Sequence, residues 1–123
     1  MKKILGLAAG ILLTAATFAQ TEVKFVDAVN GYDKTTAKTF HFVMESNYTL
    51  ESINAAAAFY TEYFTVVAAP GTSGTDVAIT LVEDNEMARR VISRFFISQE
   101  VQNIVVNGTK MPIFDFMSTY IML

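Results

Sequence analysis

One stretch near the middle of the chain, Thr39–Phe64, constrains the fold more than any other. Its first residues alternate in character, with Phe40, Phe42 and Met44 apolar, which is the period-2 pattern of a half-buried strand. A short polar loop follows, and then an Ala-rich segment whose apolar residues recur at helical spacing. The stretch therefore predicts a strand, a loop and a helix, against which the later segments would pack.

The first residues carry the pattern of an export signal. Lys2 and Lys3 precede an apolar run of 15 residues, Ile4–Phe18, whereas a helix that spans a bilayer needs roughly 20. Small residues occupy the positions that a signal peptidase requires, so we expect cleavage after Ala19. A retained membrane anchor is the alternative, and the shortness of the run argues against it. We therefore expect residues 1–19 to be a signal peptide and the protein to be periplasmic or secreted.

Charge argues against a nucleic-acid partner of the expected mature chain, and the cysteine content argues against disulfides and a lipoprotein anchor. The full sequence has 12 acidic and 9 basic residues, and two of the basic ones precede the expected cleavage site. Without an excess of positive charge the chain does not match a phosphate backbone, so we expect no nucleic-acid partner. The sequence has no cysteine, so the fold depends on packing rather than on disulfides, and a lipoprotein anchor is excluded.

Residues 20–38 are interpreted as an N-terminal extension before the main domain. Apolar residues alternate over part of Glu22–Val29, so this segment is predicted to form a short or edge strand. Asn30 followed by Gly31 indicates a turn, because both residues tolerate a positive φ. This pattern is compatible with a hairpin to the following segment.

Two strands, an amphipathic helix and a further strand are predicted after the central stretch. Their expected bounds are Tyr63–Ala69, Asp76–Val82, Glu83–Glu100 and Val101–Val106. The first two strands are separated by Pro70 and two glycines, which cannot continue a ladder and favour a hairpin loop.

Three arginines lie on the predicted second helix. Arg90 follows Glu86 by four residues, the favourable order for an ion pair on a helix surface. Together with Arg89 and Arg94 it indicates either a small anion site or a solvated helix face. The solvated face is the more common role of such a cluster.

The last thirteen residues, Met111–Leu123, form a tail rich in large apolar side chains. Pro112 suits the first position of a helix, so the tail is predicted to be a short helix, with one more strand as the alternative. Because so many apolar side chains are costly in water, we expect the tail to dock on the body of the domain or on a partner.

The order strand, helix, strand, strand, helix, strand predicts an α+β fold of the ferredoxin-like βαββαβ type over residues 39–123. In that sandwich a four-stranded antiparallel sheet has two helices on one face and leaves the other face open. The open face and the tail together form the candidate interaction surface. Its predicted members are His41, Val43, Ala78, Thr80, Val82, Phe116 and Tyr120.

The loop between the first strand and the first helix of this domain resembles that of the heavy-metal-associated domains. That family has the same element order and a Met-x-Cys-x-x-Cys motif in this loop. Here Met44 matches, while Ser46 and Thr49 stand where the cysteines would be. The resemblance implies the ferredoxin-like fold. It does not imply metal transport, because hydroxyls do not replace thiolates as ligands of soft metals.

The sequence favours a non-enzymatic role. His41 is the only histidine, and no Ser, Cys or carboxylate partner for it stands at a recognised catalytic spacing. We therefore predict no catalytic residue, no metal site and no cofactor. The expected function is that of an exported module that binds a protein partner or a second copy of itself, with no membrane span in the mature chain. Two alternatives remain: a degenerate metal-handling domain that uses Met, His and carboxylate ligands, and an enzyme of unrecognised type.

Overall fold

The computed structural model describes residues 22–45 and 48–123, and within them the chain forms six strands and three short helices. The expected signal peptide, 1–19, lies outside the described residues. The strands are β1 (Val23–Phe25), β2 (Thr39–Met44), β3 (Phe64–Pro70), β4 (Thr75–Leu81), β5 (Asn103–Val106) and β6 (Thr109–Pro112). The helices are α1 (Leu50–Ala57), α2 (Glu86–Ile97) and α3 (Ile113–Phe116), and short helical turns follow α1 at Ala58–Tyr60 and α3 at Met117–Ile121.

The six strands form one mixed sheet in the order β3-β4-β2-β1-β5-β6. All neighbours are antiparallel except β1 and β5, which run parallel. The class α+β is therefore confirmed, but the predicted four-stranded antiparallel ferredoxin-like sheet with two helices is wrong. Strand β1 separates β2 from β5, which would be neighbours in the predicted sheet, and β6 and α3 are additional elements.

Strand β1 lies inside the sheet and not at its edge, although it has only three residues. Val23 and Phe25 are 0% and 3% exposed, so both side chains belong to the core. The ring of Phe25 lies 5.2 Å from that of Phe42 and 5.0 Å from that of Phe116. The backbone of β1 pairs with β2 on one side and with β5 on the other. Aromatic packing and two ladders thus hold a segment that is too short to show a clear period.

The core lies between the sheet and the helices. Phe40, Phe42 and Met44 all point into it, as their alternation in the sequence predicted. Phe42 is 1% exposed, and Ile79 on the neighbouring β4, which faces the same core, is 0% exposed. On the helical side, α2 contributes Phe96, whose ring centroid lies 4.8 Å from that of Phe42.

Helix α1 begins at a capping box and is shorter than the sequence predicted. The Oγ1 of Thr49 accepts the N–H of Ser52, and the Oγ of Ser52 accepts the N–H of Thr49, both at 3.1 Å. The predicted apolar stripe continued to Phe64, but that residue begins β3. Tyr60, in the turn after α1, stacks on the Phe64 ring at 5.8 Å and so joins the two elements.

The C-terminal tail is helical and docks on the body of the domain. Of its residues, Ile113, Phe116, Met117 and Ile121 are buried. A π-type bond from the N–H of Met122 to the carbonyl of Met117, at 2.7 Å, closes the last turn. The apolar pattern of the tail is therefore explained by packing within the chain.

Arg89 is fully buried, at 0% exposed, so neither a solvated face nor an anion site describes it. Its Nε and Nη2 donate to the two carboxylate oxygens of Asp84, at 2.7 and 3.0 Å. The remaining N–H groups reach the carbonyls of Lys34, Ala37 and Ile121, at 2.7–2.9 Å. One guanidinium therefore joins the loop before β2, the start of α2 and the C-terminal tail.

Arg90, the next residue, is exposed and forms the predicted ion pair with Glu86. Arg89 is buried and Arg90 is exposed because adjacent residues of a helix point in directions about 100° apart around its axis. The spacing of the apolar residues in α2 places Arg89 on the buried side of the helix. The prediction of an exposed position considered only its charge.

Candidate binding surface

The helices cover one face of the sheet. The side chains that point to the opposite side form a surface that we call the open face. A row of residues crosses it from β3 through β4 and β2 to the residue just after β1. Val67 on β3 lies opposite Ala78 on β4, and Ala78 lies opposite His41 on β2. The row ends at Val26, whose N–H donates to the carbonyl of His41 at 3.1 Å. Three of the four side chains are aliphatic, so the centre of the open face is apolar.

A shallow depression of about 390 Å³ follows this row. Its aliphatic wall comes from Val26, Val43, Val67, Ala69 and Ala78, and its polar lining comes from His41 and Asp76. Val67 and Val26 are 67% and 46% exposed, which is high for a branched aliphatic side chain.

Charged groups border the depression where it approaches Val43. Lys24 on β1 lies opposite Val43 on one side, and Asp76 on β4 lies opposite it on the other. An apolar centre with charged residues at its rim is the usual composition of a protein interface.

His41 is held in place by a carboxylate that the sequence analysis did not connect to it. The Nδ1 atom lies 3.0 and 3.1 Å from the two oxygens of Asp27, and the backbone N–H of His41 donates to the same carboxylate at 2.7 Å. The imidazole is 52% exposed and the carboxylate 22%. With Nδ1 facing Asp27, the Nε2 atom is the one available to accept a hydrogen bond or bind a metal.

Asp27 was missed because it approaches His41 through strand pairing and not through a sequence motif. It lies fourteen residues earlier, in the segment that continues β1 alongside β2. The Asn30-Gly31 turn was the one sequence feature that predicted pairing of these two segments, as a hairpin. Even so, the register that sets Asp27 beside His41 depends on the burial of Val23 and Phe25.

The predicted surface residues on β2 and β4 do lie together on the open face. Val43 and Ala78 are half-buried, and Thr80 is exposed. The Oγ1 of Thr80 lies 3.0 Å from that of Thr39 on the neighbouring strand. Val82, just beyond β4, is 59% exposed.

The two tail residues of the predicted surface are elsewhere. Phe116 is 0% exposed and packs against Phe25 and Phe42, so it belongs to the core. Tyr120 is half-buried, its ring stacks on Phe116 at 5.7 Å, and its carbonyl accepts the Tyr32 hydroxyl. The sequence showed that the tail is rich in apolar residues, but it did not show which of them face the body of the domain.

The positions compared with a metal loop have structural roles where they are described. Met44 is fully buried on the core side of β2, and Thr49 is the N-cap of α1. Ser46 lies outside the described residues. Over residues 22–45 and 48–123, no three His, Cys, Asp or Glu side chains converge to form a metal site.

The phenol of Tyr32 lies near the Asp27 carboxylate and is strongly affected by its surroundings. Burial raises its pKa to about 12, and the negative charge of Asp27 adds to the rise. The hydroxyl therefore stays protonated at neutral pH and donates to the carbonyl of Tyr120. This bond ties the segment between β1 and β2 to the C-terminal tail.

A second depression, of about 410 Å³, lies on the helical side between α2 and the tail. Phe114, Met117 and Met122 supply its apolar wall, and Arg90 and Ser93 supply polar groups. Phe114 is 65% exposed. The Arg90 guanidinium is already paired with Glu86, and the Ser93 hydroxyl donates to the carbonyl of Arg90 at 2.7 Å. Ser118, which also lines the depression, donates its hydroxyl to the carbonyl of Phe114 at 2.9 Å, so the polar groups here are engaged within α2 or within the tail.

Comparison with protein-family models, with curated proteins and with solved structures finds no match to this chain. None of the helices in the described part of the chain is long and apolar enough to cross a membrane. Function is therefore argued from the open face itself.

Proposed function

We propose that the protein is an exported, non-enzymatic module that acts by binding another protein through the open face of its sheet. The observation that carries this proposal is the apolar depression around Val67, Ala78 and Val26, which no described element covers. Transferring such aliphatic surface from water into a protein contact is favourable by about 25 cal/mol per Å². Lys24 and Asp76 at the rim supply charges of both signs that orient a partner.

The neighbours of His41 support a binding role over a catalytic one. Its cross-strand neighbours are Ala78 and Val26, whose side chains offer neither a nucleophile nor a ligand. The Asp27 carboxylate fixes the ring, which suits an imidazole that donates or accepts one directional hydrogen bond at an otherwise apolar contact.

Site-specific cross-linking tests the proposal. A photoreactive benzoylphenylalanine is placed at Val26 on the open face, and a matched control carries it at Phe114 on the helical side, where an exposed aromatic ring already stands. In the exported fraction we expect a covalent adduct from position 26 and none from position 114. No adduct from position 26, or equal adducts from both positions, would contradict binding through the open face.

Export is tested on the native protein by its intact mass. Cleavage after Ala19 gives a chain that begins at Gln20, and a native protein that retains Met1 would contradict this part of the proposal.

Metal handling is the second candidate, and the Asp27–His41 pair is the observation that favours it. A metal-binding histidine usually donates its other ring N–H to a carboxylate, as the Nδ1 of His41 is placed to do. Titration with Zn(II) and Cu(I) against a chromophoric chelator measures the affinity. Stoichiometric binding that is lost in His41→Ala and weakened in Asp27→Asn would establish this function in place of the first.

A further inference from the structure

The two edges of the sheet are protected to different degrees. Edge strand β6 has four residues and includes Lys110 and Pro112, which are two of the features that natural proteins use to block strand addition. Edge strand β3 has seven residues, none of them charged, and its only proline is the last residue, Pro70. An uncharged edge of this length is a template for pairing with another strand.

The hydrogen-bonding pattern shows which backbone groups of β3 face away from β4. The N–H of Val82 donates to the carbonyl of Tyr63 at 3.0 Å, so this pair faces inward. Because such pairs alternate along an antiparallel ladder, the N–H and C=O groups of Phe64, Val66 and Ala68 point outward. They form a row of donors and acceptors in the geometry that an added strand requires.

An exposed apolar side chain lies at the middle of this edge. On the open face, Val67 is 67% exposed and is the fourth of the seven residues of β3. A partner that paired with β3 would therefore also cover aliphatic surface.

We propose that the partner at this edge is a second copy of the chain, and that two β3 strands pair antiparallel about Val67 to join two sheets into one. This inference goes beyond the proposed function, because it concerns the backbone edge of β3 and not the open face of the sheet. Centring the two-fold axis on Val67, the fourth of seven residues, gives complete overlap of the two strands. Each outward N–H then meets a carbonyl: Val66 pairs with Ala68 of the second copy, and Phe64 with Pro70.

Charge and symmetry favour the second copy over an unrelated strand. The full chain has a formal net charge of −3, and the expected cleavage after Ala19 removes two of its lysines, so two copies carry net charge of the same sign and repel each other. The β3 edge avoids this repulsion because it is uncharged. A two-fold axis at Val67 also makes the surface self-complementary, so the same groups are satisfied in both copies at once.

Sedimentation of three purified proteins tests the dimer. We expect the wild type to be a dimer and Val67→Lys to be a monomer, because the two new ammonium groups would face each other across the axis. The matched control is Val82→Lys, which adds the same charge at a residue that is 59% exposed beyond the end of β4, and it should remain dimeric. A monomeric wild type, or a dimeric Val67→Lys, would overturn the inference.

A cross-linking variant tests the register and does not depend on how well Val67→Lys folds. The natural sequence has no cysteine, so Val67→Cys introduces a single thiol. In the proposed register the two position-67 residues form a non-hydrogen-bonded pair with Cα atoms about 4.5 Å apart, which permits a disulfide. We expect mild oxidation to convert most of Val67→Cys to a covalent dimer and to leave Val82→Cys monomeric on a denaturing gel. Equal cross-linking of the two variants would overturn the register.

These experiments separate this inference from the proposed function. A monomeric protein that still gives an adduct at position 26 would retain open-face binding and lose the dimer. A dimer linked through position 67, with no adduct at position 26, would retain the dimer and lose the open-face partner.

Discussion

At the scale of single residues, Arg89 shows how a buried charge becomes part of a core. All five of its N–H donors have acceptors, two on the Asp84 carboxylate and three on backbone carbonyls. Its guanidinium also lies 5.6 Å from the centroid of the Phe40 ring. A buried arginine is tolerated only when its charge is paired and its donors are satisfied, and here both conditions hold.

Removing this guanidinium should be costly, because several acceptors lose their donors together. We expect Arg89→Met to lower the free energy of unfolding by about 3–5 kcal/mol, as measured by urea denaturation. Arg94→Met, at an exposed position on the same helix, is the matched control and should change it by less than about 0.5 kcal/mol. Similar losses from the two variants would show that Arg89 is not a special contact.

The Asp84 carboxylate predicts how stability responds to acid. Hydrogen bonds from Arg89 hold the pKa of Asp84 below its usual value. The stabilisation is therefore complete above the pKa of the unfolded chain, near 3.9, and is lost as the pH falls through the lower pKa of the folded protein. We expect the free energy of unfolding of the wild type to fall more steeply below about pH 4 than that of Asp84→Asn. Parallel pH profiles for the two proteins would contradict this assignment.

Adjacent residues of β2 should differ sharply, because they face opposite sides of the sheet. Phe42 is 1% exposed, and Phe42→Ala should lower the free energy of unfolding by about 3–5 kcal/mol. His41 is exposed, and His41→Ala should cost less than about 1 kcal/mol, since the Asp27 carboxylate keeps its bond to the backbone N–H. Equal losses in urea melts would mean that the two faces of β2 are assigned in reverse.

At the scale of elements, strands with a clear period were predictable and the shortest strand was not. The alternation in β2 and β4 fixed which side chains enter the core, and burial confirms it. Strand β1 has only three residues, and its two ladders join segments that are far apart in the chain. Its central place depends on the packing of Phe25 against Phe42 and Phe116, which no local pattern reveals.

The C-terminal tail was recognised as an apolar segment, but its docking surface was not predictable from its own sequence. The side that faces the core is fixed by contacts with distant residues, including the bond from Arg89 to the carbonyl of Ile121. The same contacts hold the loop before β2, where Lys34 Nζ donates to the carbonyl of Ser118 at 3.1 Å.

Deleting residues 116–123 should therefore destabilise the whole domain. The deletion removes three buried side chains, Phe116, Met117 and Ile121, together with one acceptor of Arg89. We expect loss of the cooperative thermal transition followed by circular dichroism, because burial of each large apolar side chain contributes about 1.5–3 kcal/mol. The control is Phe114→Ser, which changes a 65% exposed residue of the same tail and should keep the transition. A cooperative transition in the truncated protein would contradict this role of the tail.

At the scale of the whole molecule, the order of elements predicted the class but not the sheet. The path from β2 through α1, β3, β4 and α2 to β5 follows the predicted sequence of elements. Insertion of β1 between β2 and β5 turns the expected antiparallel sheet into a mixed one. The open face survives this change, because β2 and β4 remain neighbours and keep His41 opposite Ala78.

The proposed pairing of two β3 strands also links stability to protein concentration. If the dimer contains folded chains only, association stabilises the folded state by mass action, and the unfolding temperature rises as the protein concentration rises. Within the range where dimers dissociate, the wild type should unfold at a higher temperature in the more concentrated sample. Val67→Lys should unfold at the same temperature at every concentration, because it is expected to be a monomer. Val82→Lys should retain the concentration dependence of the wild type.

Calorimetric scans of the three proteins over a concentration series provide the measurement. A wild type whose unfolding temperature is independent of concentration, and which sediments as a monomer, would show that the β3 edge stays unpaired.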